Sequence, residues 1–496
     1  MRPPGSRAAA ALAAVVAAVL AAPAAAEPIV ELGTGRQASA VTDAAGTLHV
    51  VSRDPAADRV PLRYCRVPAG GAGCTPLEIA RDAQWAPKLL LRPQDGALFV
   101  VYPGLDAASQ LRTMLVASGD GGTTWGAPVA IGIGLSEIDD AELSPDGAFV
   151  DTVASTPTGE VQFQRVPLGG GAEQRVVSLG VKRDLLAPRV THLADGRAVV
   201  IAHYAADRLG VRVARLGADP NDPAAWGSAT TLHRLRNADA SDGDVGPTGT
   251  WLLATVKQRT AAGALPVKVW RWGAHGFEDP RTIGALARRA GQQVGQGQDT
   301  NVVSLDVDLA GRLHTAWPLS QSDCGGHLCL VYRRTDRRGF MAPIVYPVGV
   351  ATADTVQHFA IAANSGGSGW LVWDDLSARV RAVPLVTPPL GARVGSKRIG
   401  RRRVSIPDFY GCVPTGGTFV HRLRVDGRPG TRILSVRFFF DAGQPSRTDH
   451  RAPFRLRFRL AFPPGSRHVA GAVVRYRLPG ERRVRSVRIG RTFVMC

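Results

Sequence analysis

Gly46-Thr-Leu-His-Val-Val51 is one copy of a phrase that recurs along this chain: a glycine turn followed by an alternating apolar strand. It returns as Gly96-Ala-Leu-Phe-Val-Val101, Gly147-Ala-Phe-Val-Asp-Thr152 and Gly196-Arg-Ala-Val-Val-Ile201. It continues as Gly249-Thr-Trp-Leu-Leu-Ala254, Gly311-Arg-Leu-His-Thr-Ala316 and Gly369-Trp-Leu-Val-Trp373. Apolar residues alternating over so short a run mark strands rather than helices, and a fixed spacing near 50 residues marks repeated units.

Each copy has companions. A strand such as Ala86-Pro-Lys-Leu-Leu-Leu91 or Ala187-Pro-Arg-Val-Thr-His192 precedes the turn. A third strand follows, as in Leu111-Arg-Thr-Met-Leu-Val116, and then a fourth, as in Ala127-Pro-Val-Ala-Ile131. Four antiparallel strands per unit describe a propeller blade, which buries both faces only when a ring of neighbours is complete. The seventh unit lacks a fourth strand, and Pro28-Ile-Val-Glu-Leu32 has the fitting pattern. We therefore expect an all-β chain: a seven-bladed propeller over residues 27–386, closed by its own N-terminal strand so that no edge stays open. Six blades is the alternative, because the fifth and sixth units are irregular.

The ends differ from this body. Arg2 and Arg7, an Ala/Leu/Val run from Ala8 to Ala22, and Ala24-Ala25-Ala26 have the form of a secretory signal over residues 1–26. No later stretch is apolar enough to span a membrane, so a secreted or surface-associated chain is expected. Pro388-Pro389 open a linker at 387–403, and residues 404–496 read as a small β-sandwich. Six cysteines in an exported chain suggest local pairing as Cys65–Cys74, Cys324–Cys329 and Cys412–Cys496. None has zinc-site spacing with histidines, so no metal site is expected.

Charge is uneven. The chain carries 60 Lys+Arg and 41 Asp+Glu, and the whole excess of +19 lies beyond residue 390. There, Arg455, Arg457 and Arg459 alternate with apolar residues, as do Arg483, Arg485 and Arg488. Such a stripe suits an anionic polymer, a cell-wall phosphate or acidic glycan. Nucleic acid is not expected, because no stacking aromatics accompany the basic strands.

Between the third and fourth strands of the second unit stands Ser118-Gly-Asp120-Gly-Gly122-Thr-Thr124-Trp125. This resembles the Asp-box of sialidase-like (BNR-repeat) propellers, with Trp226, Phe277 and Phe340 at the equivalent aromatic position in degraded copies. The resemblance implies a structural hairpin made by Ser118, Asp120, Gly122, Thr124 and Trp125, on the face away from any active site. It also implies, for a catalytic member, three arginines, a Tyr–Glu pair and an acid/base Asp. The family's Phe/Tyr-Arg-Ile-Pro phrase is absent here; Pro87-Lys88-Leu89 and Pro188-Arg189-Val190 are the nearest echoes, Tyr332 and Tyr346 the late tyrosines, and Glu278 the late glutamate. No catalytic residue is assigned. The tail resembles bacterial immunoglobulin-like modules, in which a Val-x-Phe-x-x-Asp strand (Val436 to Asp441) precedes Thr448-Asp449 and Pro453-Phe454.

The loops leading from unit to unit carry acids, among them Asp82, Asp139, Asp140, Asp184, Asp239, Asp242, Asp299 and Asp354. Lys88, Arg189 and His358 open inner strands beside them. A channel mouth mixing Asp82, Lys88, Asp140, Asp184, Arg189, Asp299, Asp354 and His358 would hold a sugar by charge-assisted hydrogen bonds, with Ca²⁺ as the alternative ligand of its carboxylates. His49 and His314 are read as packed core histidines. The expected function is a monomeric extracellular binding protein for a glycan, cell-wall polymer or surface protein. The alternative is an exo-acting, sialidase-like glycoside hydrolase working from the channel mouth.

Overall fold

The computed structural model describes residues 29–494, apart from segments at 170–174, 182–186, 257–263, 288–302, 320–327, 350–355, 386–395, 407–417, 441–445 and 460–466 and several shorter ones. The proposed signal segment and Asp184, Asp299 and Asp354 therefore lie outside the described residues, as do Cys324, Cys412 and Cys496.

The repeated phrase forms the second strand of each of seven antiparallel sheets among the described residues. The first strands of these sheets are Arg36–Thr42, Lys88–Leu91, Asp140–Leu143, Arg189–His192, Ala238–Gly246, Ser304–Val307 and Val356–Ala363. They touch one another in chain order, and the last touches the first, so they make a closed cycle. The seventh sheet is completed by Val30–Thr34, which pairs antiparallel with Arg379–Pro384, Val30 opposite Ala382 and Thr34 opposite Arg379. The turn glycines are required: Gly46, Gly96, Gly147, Gly196 and Gly311 all have positive φ, from 69° to 86°, a region closed to most side chains.

Apolar residues on both faces of each sheet pack against the neighbouring sheets. Val51, Leu62 and Tyr64 of the first sheet meet Leu98, Val100 and Tyr102 of the second in one cluster. The seventh sheet packs on the first through Val30, Leu48, Trp370 and Val372. Such burial, worth about 25 cal/mol per Å² of apolar surface, is available to a sheet only when both neighbours are present.

Inner strands have one hydrogen-bonded edge and one edge turned to the axis. The orphaned N–H groups of that edge must find acceptors, and they find them in the preceding sheet. Leu89 N donates to Ser39 Oγ at 3.0 Å and Val190 N to Asp140 Oδ2 at 3.1 Å. Leu305 N donates to Asp242 Oδ2 at 2.7 Å, Ile361 N to Ser304 Oγ at 3.1 Å and Ala363 N to Asp306 Oδ2 at 2.6 Å. Gln37 N closes the circuit on Asp374 of the seventh sheet.

Beyond residue 395 three sheets share one core. Strands Ser396–Ile399, Arg402–Ser405 and Arg424–Gly427 form one, Thr418–Arg422 and Arg455–Arg459 a second. The third runs in the order Arg447–Asp449, Arg432–Phe440, Arg467–Arg477, Arg485–Val494. Residues 396–403, expected as linker, are thus mostly strand: Ile399 and Val404 are buried in the core beside Val436, Phe438 and Val474. The arginines around them hid this apolar alternation in the sequence.

Candidate functional site

The inner strands enclose a cavity of about 660 Å³, lined by residues of six of the seven first strands and by Leu193 and Ala194 just beyond the fourth. Asp140 and Asp242 line it, and Lys88 and Arg189 group beside these carboxylates. Lys88 Nζ lies 3.6 Å from Asp140 Oδ1, and Arg189 Nη1 donates to the Asp139 carbonyl at 2.8 Å. Burial lowers the Lys88 pKa, opposed by Asp140. Burial pushes Asp242 up to about 7 against the pull of Arg189. Of the residues singled out in the sequence, Lys88, Asp140 and Arg189 lie near one another, and of these Asp140 lines the cavity.

The other two expected site residues that are described, Asp82 and His358, lie elsewhere. Asp82, at φ +61°, is ion-paired with exposed Arg59. His358 Nδ1 faces Asp374 at 3.1 Å, and its N–H donates to the same carboxylate at 2.8 Å; it does not line the cavity.

Deeper in the cavity sit Glu142, Asp244 and Asp306, which sequence reading did not single out. Asp244 and Asp306 are hydrogen-bonded to each other, and burial raises both, Asp244 well above the ordinary range because the charges of Asp306 and Glu142 add to it. Burial likewise raises Glu142, opposed by His192. The readable signal was an acid recurring two residues on within an inner strand, as in Asp140-Ala-Glu142 and Asp242-Gly-Asp244, a spacing that puts both side chains on one face.

From Glu142 a charged chain leads out of the cavity. His192 Nδ1 lies 3.3 Å from Glu142 Oε2, and Nε2 lies 2.9 Å from Asp151 Oδ2. Asp151 accepts two bonds from Arg165, each 2.7 Å. Register explains the grouping: Asp151 is opposite Glu142 on one side and Arg165 on the other. Burial works against a charged His192, but Asp151 and Glu142 outweigh it and raise the imidazolium to about 9. Arg165 ends the chain at a second cavity of about 980 Å³ between the third and fourth sheets.

The two core histidines are built alike. His49 joins Tyr64 OH at 2.6 Å and Asp43 at 3.3 Å; His314 joins Tyr332 OH at 2.8 Å and Asp308 at 3.0 Å. Both rings are buried, and each Asp also accepts a backbone N–H of its own turn. Tyr332 is therefore engaged within the sheet, with its pKa raised by burial. Glu278 stands apart, at a hairpin against Gly273.

In the segment 118–125, Asp120 accepts from Thr123 N at 3.0 Å, Thr124 N at 2.9 Å and Thr124 Oγ1 at 2.6 Å. Ser118 Oγ accepts from Gly122 N at 2.8 Å. Trp125 packs edge-on to Tyr64 of the preceding sheet at 4.8 Å, and Trp226 does the same to Phe163 at 4.9 Å. Phe277 meets Trp272 of its own sheet at 4.9 Å, and Arg333 covers Phe340 at 5.3 Å. Gly122 admits no side chain, since a Cβ would meet the Tyr64 hydroxyl.

Cys65 and Cys74 form a disulfide; Cys329 is also disulfide-bonded. Among the described residues no group of three or more His, Cys, Asp or Glu side chains is placed to hold a metal ion, and no helix is long and apolar enough to cross a membrane. In the tail, Arg455, Arg457 and Arg459 are exposed along one strand. Arg483, Arg485 and Arg488 are exposed too, with Arg485 paired to Glu481 at 2.8 Å.

No family model and no curated protein matches the chain. Solved structures do. The BP39L lectin from Burkholderia pseudomallei matches with a TM-score of 0.50 at 13% identity, over 71% of this chain and 96% of that one. AofleA from Arthrobotrys oligospora matches at 0.41 and 10%, over 65% and 90%. The α-L-arabinofuranosidase from Lactobacillus brevis matches at 0.32 and 16%, over 51% and 94%. The first likeness, at this identity, speaks for the fold: an all-β, propeller-like assembly of small antiparallel sheets.

Proposed function

We propose that this chain is an exported glycan-binding protein. Its seven sheets are the blades of a closed propeller with one full Asp-box at Ser118–Trp125, and its sugar site is the cavity mouth around Lys88, Asp140, Arg189 and Asp242. An immunoglobulin-like sandwich follows and docks the protein, as a monomer, to an anionic surface polymer. The observation that carries the reading is the mixed cluster itself, the carboxylates Asp140 and Asp242 lining the cavity with the cations Lys88 and Arg189 beside them. Paired donors and acceptors at this spacing match vicinal hydroxyls, and bonds to charged groups are the stronger kind. A lectin among the structural matches is in keeping with it.

A second reading, an exo-acting, sialidase-like glycoside hydrolase, draws on the hydrogen-bonded Asp244–Asp306 pair and on Asp242 near 7. Carboxyl groups with separated pKa values are what acid/base hydrolysis needs. Against it, Asp242, Asp244 and Asp306 each give one oxygen to a backbone N–H of the next sheet, and such tethered carboxyls are poorly placed to follow a sugar.

The test is a glycan array probed with the intact protein, with released sugar measured on every positive. Binding without release is expected. Lys88→Met and Asp242→Asn should each weaken that binding by about tenfold or more, the scale of one charge-assisted bond. Unchanged binding by folded variants would remove the cavity mouth as the site, and released sugar would turn the reading to the hydrolase.

A further inference from the structure

The basic tail offers two arginine surfaces, and of the second the sequence singled out Arg488 but not Arg437 or Arg475. The strand Arg455–Arg459 shows its stripe directly, yet Arg459 is already engaged within the chain, and Arg455 pairs in register with Arg422 of the neighbouring strand. The second surface is assembled from three strands of the four-stranded sheet. Val436, Phe438, Ala472, Val474, Val487 and Ile489 turn one face of that sheet to the core. On the opposite face Val473 stands between Arg437 and Arg488, and Arg475 stands between Ser435 and Ser486. Arg437, Arg475 and Arg488 are all exposed.

Among the described residues no ion pair neutralises them. Among the described acids of the tail, Asp426 pairs with Arg424, Glu481 pairs with Arg485, and Asp449 accepts the backbone N–H groups of Arg451 and Arg455. Like charges side by side on one sheet face are unfavourable, and here they are also held in place. The Arg488 guanidinium lies over the Phe439 ring at 4.4 Å. That ring lies flat across Gly471, where a Cβ would come within 2.0 Å of it, and Gly490 follows in the same row. Gly471 makes room for the aromatic ring, and the ring holds one cation. A stacked guanidinium keeps its N–H edge for an oxyanion and loses less freedom on binding one.

We propose that this face, built on Arg437, Arg475 and Arg488, is where a linear phosphodiester polymer docks; the proposal rests on the docking role given above to the basic module. The two-residue step from Val473 to Arg475 is about 7 Å along the strand, and neighbouring strands are about 4.8 Å apart. The cations therefore form a compact triangle that a flexible chain with one charge per repeat can follow. Among the described residues the one aromatic ring of the face, Phe439, is covered by Arg488, so it is not open to stacked bases.

The probe is poly(glycerol phosphate), titrated into the full chain at several salt concentrations. Arg437→Gln/Arg475→Gln/Arg488→Gln should weaken binding at least tenfold and lower the salt slope by about two to three, the release expected from three lost contacts. Arg455→Gln/Arg457→Gln/Arg459→Gln should change it less than about threefold. Val473→Glu, which sets an anion between Arg437 and Arg488 without removing either, should also weaken binding. Loss in the second triple variant with retention in the first would overturn the proposed face while leaving the docking role standing. Failure of the unaltered protein to bind either poly(glycerol phosphate) or polyuronate would overturn both, and tighter binding to polyuronate than to poly(glycerol phosphate) would overturn the phosphodiester assignment alone.

Discussion

The cavity of the seven-sheet ring and the outer face of the last four-stranded sheet treat charge in opposite ways. In the cavity, Asp140, Asp242 and Asp306 are turned inward, bonded to neighbouring backbone and pushed off their usual titration or held by cations. On the outer sheet, Arg437, Arg475 and Arg488 face solvent with no acid partner among the described residues. The first set completes the ring, because each inner strand needs acceptors for an edge that no further strand covers. Among the described residues the second set makes no ion pair, and only Arg488 packs on a side chain, Phe439. Charge of the first kind supports the scaffold even where it also faces a ligand, and charge of the second kind can be removed without cost to the fold and is free for a partner.

The largest effect should come from Asp151, fully buried between Arg165 and His192. Asp151→Ala strands both cations, and removing one member of a buried ionic set costs about 3–5 kcal/mol. Urea unfolding should show it. A loss below about 1 kcal/mol would mean that this buried set is no more structural than the exposed arginines, and the contrast between the two regions would fail.

A smaller effect should follow pH. Asp242 has its folded pKa raised from 3.8 to about 7, so it stabilises below the unfolded value and loses that contribution as pH rises through 7. It is faced by Asp140 and Arg189 and bonded to Leu305 N and Gly243 N. His192 is raised from 6.5 to about 9; its contribution is full below 6.5 and lost as pH rises through 9. Stability should therefore fall from about pH 5 to pH 9, each group adding at most about 1.4 kcal/mol per pH unit. Asp242→Asn should flatten the lower part of the curve and leave the upper part. A melting temperature that rises from pH 5 to pH 8 would show that these groups are not buried as the structure has them.

How much of this was readable in the sequence follows the distance over which each feature is built. The glycine phrase is local, and seven copies made the sheets visible, with the completing strand near Pro28–Leu32 found at Val30–Thr34. Lys88 and Arg189 were visible because each follows an Ala-Pro that opens an inner strand. Glu142, Asp244 and Asp306 were not, because acids near turns read as solvated; their partners lie on other sheets, as with Asp244 and Val307 or Asp306 and Ala363. The arginine triangle was hidden for a sharper reason. Its members come from three strands, and only the register Arg437–Val473–Arg488 sets them side by side. Alternation within one strand can be read from a sequence; register between strands cannot.

The smallest effect is the one that tests the contrast from the other side. Removing Arg437, Arg475 and Arg488 together takes three charges from the protein, more than Asp151→Ala does. Yet the triple Gln variant should unfold within about 0.5 kcal/mol per site of the unaltered chain, as exposed substitutions do. Relief of like-charge crowding should push the change toward greater stability at low salt. Arg488 is the exception to watch, since its stack on Phe439 covers part of a ring that is 8% exposed; Arg488→Gln alone should account for any loss. If instead Arg437→Gln or Arg475→Gln destabilised the sheet as Asp151→Ala does the ring, those arginines would be holding the fold together, and the face would no longer be free for a polyanion.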